Sequence, residues 1–310
     1  MKYIIAGATG FIGQHLVKRW LLAGHELIVL GRSVAKIKAL FGEQVQALTW
    51  DELTINYLQH CDAIINLAGA SIGEQRWTSE RQQTILSSRT QTTQCIAQLC
   101  AQLGAQAPVF FSVSAIGVYG LQASLPTQLP APYDEDTVID FQQAPDFLAK
   151  VARAWELAAK PAEQAGARVV YLRFGVVLAK EQGALPRMAL PFKWGLGGPI
   201  GSGQQPFSWI ALADLIGIIE FLLANKTISG PINLVAPECV TQKQLANTLG
   251  KVLHKPSFMP TPAFILKLVF GQMAEELLLK GQQVVPKRLL ALGYQFQLPT
   301  LEKALTEIYK

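Results

Sequence analysis

Seven residues, Gly7-Ala8-Thr9-Gly10-Phe11-Ile12-Gly13, stand directly behind the apolar run Tyr3-Ile4-Ile5-Ala6, and they constrain the fold more than any other stretch. The run reads as a buried strand. Residues 14–23 read as an amphipathic helix with Leu16, Trp20 and Leu21 inward. A strand, a tight glycine turn and a helix N-terminus together form an anion site, because free backbone N–H groups and the positive end of the helix dipole point the same way. Gly7 allows the turn, Gly10 lets the backbone approach a pyrophosphate, and Gly13 lets helix and strand pack closely. Glycines punctuate many loops, but here the strand and helix that the pattern requires flank it. The expectation is dinucleotide binding.

The next residues bear on which dinucleotide. Gly24 ends the helix, and Glu26-Leu27-Ile28-Val29-Leu30 is a second apolar strand that stops at Gly31-Arg32-Ser33. In a dinucleotide-binding fold this strand end lies beside the adenosine ribose, where an acidic residue takes the 2′-hydroxyl and an arginine accommodates a 2′-phosphate. Arg32 is present and no carboxylate lies between Leu27 and Ala35. NADP(H) is therefore expected over NAD(H), with a solvated loop arginine as the competing reading.

Strands and helices go on alternating. Residues 63–67, 109–113 and 168–172 read as strands; residues 81–103, 149–164, 214–224 and 242–253 read as helices. This alternation predicts an α/β fold, a doubly wound parallel sheet of Rossmann type with helices on both faces. From Gly183 the texture changes, and residues 183–208 are rich in glycine and proline, as in a lid or ligand loop.

With 310 residues, half of them apolar and 16% charged, the chain can bury a large core. Its apolar stretches are broken well short of the ~20 residues of a membrane span, so no membrane partner is expected. The first strand begins at once after Met1-Lys2, which leaves no room for a cleavable signal. Cys61, Cys95, Cys100 and Cys239 lack paired or zinc-finger spacing and read as reduced thiols, so the expected location is cytoplasmic. The net charge of +5 is scattered, which argues against nucleic acid. His15, His25, His60 and His254 are dispersed and suggest no metal site.

Further motifs support a resemblance. The glycine turn, Asn66-Leu67-Ala68-Gly69, the run Ser112-Val113-Ser114 leading to Tyr119-Gly120, and Leu172-Arg173-Phe174-Gly175 resemble an extended short-chain dehydrogenase/reductase, the superfamily of the nucleotide-sugar epimerases and dehydratases. More narrowly, Arg76-Trp77-Thr78, Ser88-Arg89, Gly195-Leu196-Gly197-Gly198-Pro199 and Pro286-Lys287-Arg288 with Gly293-Tyr294 are similar to its atypical, epimerase-like branch. The resemblance spans essentially the whole chain. It implies an NADP-binding domain over residues 1–235, carrying the glycine-rich insertion, and a small C-terminal domain of unassigned function over residues 236–310 that forms the substrate lobe. It also implies cofactor contacts from Leu67, Ala68, Gly69, Arg89, Arg173 and Val177, alongside Gly7, Thr9, Gly10, Phe11, Ile12, Gly13, Gly31 and Arg32.

One absence separates this chain from most of the superfamily, which uses a Tyr-x-x-x-Lys pair on one helix face to move a proton. None of the seven tyrosines is followed four residues later by lysine. With Glu156 aligned to the glutamate that usually follows that pair, Leu148 and Ala152 fill its places. The histidine of the usual Trp-Ile-His is also missing, since Trp209-Ile210 is followed by Ala211. Ser114 matches the serine that hydrogen-bonds the reacting oxygen, and Tyr119 lies just beyond it; both are candidate catalytic groups, against a turn serine and a packed loop aromatic. The acidic runs Asp51-Glu52 and Asp134-Glu135-Asp136 read as turns or caps. Two functions stay open. One is an NADP-dependent epimerase, dehydratase or reductase acting on a sugar nucleotide or another small polar carbonyl or alcohol. The other is a catalytically silent NADP(H)-binding sensor or scaffold.

Overall fold

The computed structural model describes residues 1–122 and 129–310. The first half of the chain runs β1 (Lys2–Ala6), α1 (Phe11–Leu22), β2 (Glu26–Gly31), α2 (Val34–Phe41), β3 (Gln46–Thr49), α3 (Ile55–Gln59), β4 (Ala63–Asn66), α4 (Ser79–Leu103), β5 (Val109–Ala115), α5 (Phe147–Gln164) and β6 (Val169–Phe174). There follow β7 (Val176–Leu178), α6 (Leu185–Lys193), β8 (Pro206–Phe207), β9 (Trp209–Ala211), α7 (Leu212–Ala224), β10 (Gly230–Leu234), β11 (Val240–Thr241), α8 (Gln242–Leu253), α9 (Ala263–Phe270), α10 (Gln272–Ala274), α11 (Lys287–Ala291) and α12 (Leu301–Tyr309).

Seven strands form the central sheet in the order β10-β6-β5-β4-β1-β2-β3, and every pairing in it is parallel. Strand alternation divides the side chains between two cores. Tyr3 and Ile5 of β1 pack with Leu16, Val17 and Trp20 of α1 and with α7 on one face; Ile4 and Ala6 pack on the other, which α4 and α5 cover through Ile96, Ala97, Ala159 and Ala162. Strands buried on both faces become continuous apolar runs, which is why β1, β2, β4 and β5 are visible in the sequence. The two edge strands are not. β3 is short and polar, and β10 opens Gly-Pro, a turn signal that a sheet edge tolerates.

Two strand ends extend beyond their apolar runs, with consequences for the site. β5 continues to Ala115 and β6 to Phe174, so Ser114 and Arg173 are ladder residues, directly paired. At the other boundary α1 starts at Phe11 rather than residue 14, so its first turn is the second half of the glycine motif.

A separate core joins Leu185, Ala189 and Phe192 of α6 to Leu245 and Leu249 of α8 and to Leu301 and Leu305 of α12. It draws on residues from both sides of position 236, while Leu289 of α11 belongs to the core of the sheet. The glycine-rich run belongs to this second body. Thr261 N–H donates to Pro199 at 2.8 Å, Gly201 to Thr261 at 2.9 Å and Met259 to Gly197 at 3.0 Å. A Cβ on Gly198 would lie 2.1 Å from the Met259 oxygen. These glycines allow two backbones to lie side by side.

Candidate functional site

β1 lies between β2 and β4, so the chain turns one way after β1 and the other way after β4, opening a crevice at their C-terminal ends. In open parallel sheets ligands bind at this switch point. Gly7 has a left-handed φ of 74°, and a Cβ there would lie 2.7 Å from Ala68 N. The loops after β1 and β4 therefore touch. A Cβ on Gly13 would lie 2.4 Å from the Ala8 Cα, so this glycine is required by helix–strand packing. Gly10 differs. Its φ of −82° suits any residue, it is exposed, and among the described residues, its chain neighbours aside, a Cβ would meet only the Gly7 oxygen within 4 Å, at 3.3 Å. The fold itself has little need of glycine there. What the missing side chain leaves open is the space in front of the first-turn N–H groups of α1, the cradle a pyrophosphate needs.

Thr9, Phe11 and Ile12 line this turn, half-buried. The Phe11 ring faces Gly183, whose Cβ would lie 3.1 Å from it and 3.4 Å from the Val177 oxygen. The segment after β7 thus lies against the glycine turn, with half-buried Val177 on that side. Arg32 is exposed between the end of β2 and Ser33, which caps α2 through Lys36 N–H at 3.3 Å. Among the described residues Arg32 has no ion-pair partner. A Cβ on Gly31 would meet Ile37 Cδ1 at 3.2 Å, so this glycine serves packing within the chain.

On the β4 side, Asn66 holds the loop by accepting from Ala68 N–H at 3.1 Å and donating to Thr93 at 2.9 Å. Leu67 and Ala68 are half-buried and Gly69 is exposed. Arg89 of α4 reaches under the loop, donating to the Ala70 and Ile85 carbonyls at 3.0 Å each, with its guanidinium 5.0 Å from the Trp155 ring centroid. No carboxylate pairs with it among the described residues. Burial, with Arg81 adding like charge, pushes its pKa down to about 10. A desolvated cation beside the crevice favours an anion there.

The candidate catalytic residues occupy a different environment. Ser114, Arg173 and Asn233 sit side by side across β5, β6 and β10 in register. Arg173 donates twice to Glu156 of α5, at 2.8 and 2.9 Å, and once to the Tyr119 hydroxyl at 2.9 Å. The Ser114 hydroxyl donates to Glu156 at 2.9 Å, and that of Tyr119 donates to Asn233 Oδ1 at 2.8 Å. Tyr133 stacks on Tyr119 with centroids 5.2 Å apart. All five network residues are buried, Ser114 at 2% exposure and Tyr119 at 6%. Burial raises the Tyr119 phenol to about 12 even though Arg173 lowers it. Burial also opposes the Arg173 charge, but Glu156 more than offsets this and leaves its pKa raised.

α5 carries no replacement for the missing pair. Leu148 packs near Gly117, Ala152 is buried, and Lys150 is exposed. The acidic runs are structural: Glu52 accepts from the Thr49 amide and hydroxyl, and Asp134 and Asp136 pair with Lys287. Glu135 is buried rather than solvated, accepting from Asn233 N–H at 2.9 Å and from Arg288 N–H at 3.3 Å. Asp214 ties the C-terminal tail down by accepting from the Gln297 and Leu298 amides. No metal-binding cluster occurs among the described residues. Sequence reading missed the roles of Asn233 and Tyr133 and the pairing of Glu156 with Arg173. An arginine inside an otherwise apolar strand was the available signal, since a buried charge demands a partner.

The sequence model of the NAD dependent epimerase/dehydratase family matches residues 3–234, and that of a domain of unknown function, DUF1731, matches residues 261–308. The epimerase family protein SDR39U1 of Bos taurus is 39% identical over 313 residues, covering 99% of each chain. The crystal structure of human SDR39U1 (isoform 2) with NADPH superposes with a TM-score of 0.87 at 37% identity, covering 100% of this chain and 99% of that one. The nucleoside-diphosphate sugar epimerase of Corynebacterium glutamicum gives a TM-score of 0.76 at 29% identity, covering 99% of this chain and 58% of that one.

Proposed function

Because the chain belongs to the NAD dependent epimerase/dehydratase family, we propose that it is an NADP(H)-binding, epimerase/dehydratase/reductase-like oxidoreductase. Its substrate is a sugar nucleotide or another small polar carbonyl or alcohol. The observation that carries this reading is exposed Gly10, the one fingerprint glycine that the protein's own packing hardly requires. NADPH in the structure of human SDR39U1 supports the choice of cofactor, as does Arg32, which has no ion-pair partner among the described residues.

In this reading Gly7, Thr9, Gly10, Phe11, Ile12 and Gly13 hold the pyrophosphate, and Gly31-Arg32 takes the 2′-phosphate. Leu67-Ala68-Gly69, Arg89 and Val177 flank the rest of the dinucleotide. Bound NADP(H) supplies the hydride acceptor or donor. Ser114, at the end of β5, polarises the reacting oxygen. To do so its hydroxyl turns from Glu156, whose charge Arg173 continues to hold through two hydrogen bonds. Arg173, expected from the resemblance to contact the cofactor, acts instead as a positioning residue, since its guanidinium is committed to Glu156 and Tyr119. Tyr119 stays a neutral phenol near physiological pH and supports Arg173.

The closed network favours a second reading, in which the protein binds NADP(H) without turnover and senses or scaffolds. Incubation with NADPH and a panel of sugar nucleotides, aldehydes and ketones, followed by nicotinamide absorbance, separates the two. Turnover that falls on the order of 100-fold to 1000-fold in Ser114→Ala, with NADPH affinity unchanged, supports the enzyme. Cofactor binding without any turnover assigns the second reading.

A further inference from the structure

α9 buries none of its eight residues, although seven are apolar and only Lys267 is charged. A short helix that is apolar nearly all round gains little by facing water; ordinarily such a helix is covered. The surface continues beyond α9. The hydrogen bonds between residues 197–201 and 259–261 place the glycine-rich run beside the lead-in to this helix. Trp194 is 77% exposed, Phe258 74%, Phe264 71% and Leu268 77%. At ~150–250 Å² per aromatic side chain, three rings this open already approach the ~300–600 Å² of the largest apolar patch on a typical monomer.

Charge selects the occupant. Residues 185–198 and 254–274 contain Arg187, Lys193, Lys255 and Lys267 and not one aspartate or glutamate. The next acidic residue in the sequence, Glu275, is held by Lys280 at 2.8 Å and Lys267 at 3.7 Å. A two-fold pairing of this face with a second copy would set lysines against lysines. Aromatic and aliphatic side chains with a cationic rim match the boundary between the headgroups and acyl chains of an anionic bilayer, where apolar burial and charge attraction add.

We propose that this face, formed by the end of α6, the residues before α9 and α9 itself, seats the protein peripherally on an anionic lipid surface. The sequence-based expectation of no membrane partner rested on span length alone. No helix among the described residues is long and apolar enough to cross a membrane, but a face lying in the interface needs no such length.

Co-sedimentation of the full chain with phosphatidylcholine vesicles, with or without about one-third phosphatidylglycerol, tests this. Binding to the anionic vesicles should exceed binding to the neutral ones by about tenfold or more and weaken with added salt. The double variant Phe264→Asp/Leu268→Asp and, separately, Lys193→Glu/Lys255→Glu should each lose that binding by about tenfold or more while circular dichroism and NADPH affinity stay unchanged. All the substituted side chains are exposed, so folding is expected to survive. Equal binding to both vesicle types, or none to either, overturns the proposal. So does a dimer in sedimentation equilibrium that Phe264→Asp/Leu268→Asp dissociates, because a second copy would then be the occupant.

Discussion

The crevice between β1 and β4 and the polar row across β5, β6 and β10 lie at the same end of one sheet, yet their polar groups are treated in opposite ways. In the crevice Gly10 is exposed before the first turn of α1, and among the described residues neither Arg32 nor Arg89, which rests on carbonyls, has a carboxylate partner. In the row, Ser114, Glu156, Arg173, Tyr119 and Asn233 bond to one another and are buried. Cations without a carboxylate partner favour an anionic ligand, whereas a fully satisfied network inside a low-dielectric interior rigidifies. The difference separates two kinds of environment at one end of the sheet. The crevice, where we place the dinucleotide, is open. The row is closed over the Glu156–Arg173 ion pair, and α5 beside it carries no Tyr-x-x-x-Lys pair.

Four substitutions press on this contrast, beginning with the largest effect. Glu156→Ala leaves the Arg173 charge buried and unpartnered, and removing one member of a buried pair costs about 3–5 kcal/mol. Chemical denaturation should show that loss; a change below about 1 kcal/mol, the upper range for an exposed surface pair, would mean that the row is not closed to water. In the crevice, Gly10→Val should eliminate detectable NADPH binding by calorimetry while the melting temperature of the ligand-free protein stays nearly unchanged, because little packs against that position. Normal NADPH binding by that variant would remove the crevice from the comparison.

Arg32→Ala should weaken NADPH by about tenfold to a hundredfold, since charge-assisted hydrogen bonds to a 2′-phosphate are worth roughly 1.5–3 kcal/mol. NADH should be almost unaffected, and equal losses for both would contradict the assignment. The smallest effect belongs to Tyr119→Phe, which loses hydrogen bonds worth about 1 kcal/mol. Burial favours the neutral phenol, so its folded-state pKa is raised to about 12. The stability this gives is complete below about pH 10, the ordinary tyrosine value, and is lost as pH rises through the folded pKa. The wild-type and Tyr119→Phe stability curves should therefore converge in alkali. Phenolate absorbance that Tyr119→Phe abolishes near neutral pH would instead make Tyr119 an acid/base group and break the contrast.

How much of this was legible depended on whether a signal was local. The glycine turn announced itself because three constraints fall within seven residues of one strand–turn–helix unit, and strands buried on both faces announced themselves as apolar runs. β3 and β10 stayed hidden because edge strands carry weak or contrary signals, a polar run in one and Gly-Pro in the other. The glycine-rich segment stands out in the sequence as a lid or ligand loop, but Gly197, Gly198 and Gly201 lie along residues 259–261, a partner some sixty residues away that no local pattern reveals.

By itself the sequence determined the parallel α/β fold, the strand–glycine turn–helix unit at its start, and the absence of the tyrosine–lysine pair. Each follows from residue type and short-range spacing, which the chain cannot rearrange. Only the tertiary structure decided what Ser114 and Tyr119 touch. Their partners Glu156, Arg173 and Asn233 come from three further elements, and they meet because the parallel register of β5, β6 and β10 sets them in one row beneath α5. A hydroxyl's chemistry depends on where its proton points, and that direction is fixed by neighbours that the sequence places as far as 114 residues away.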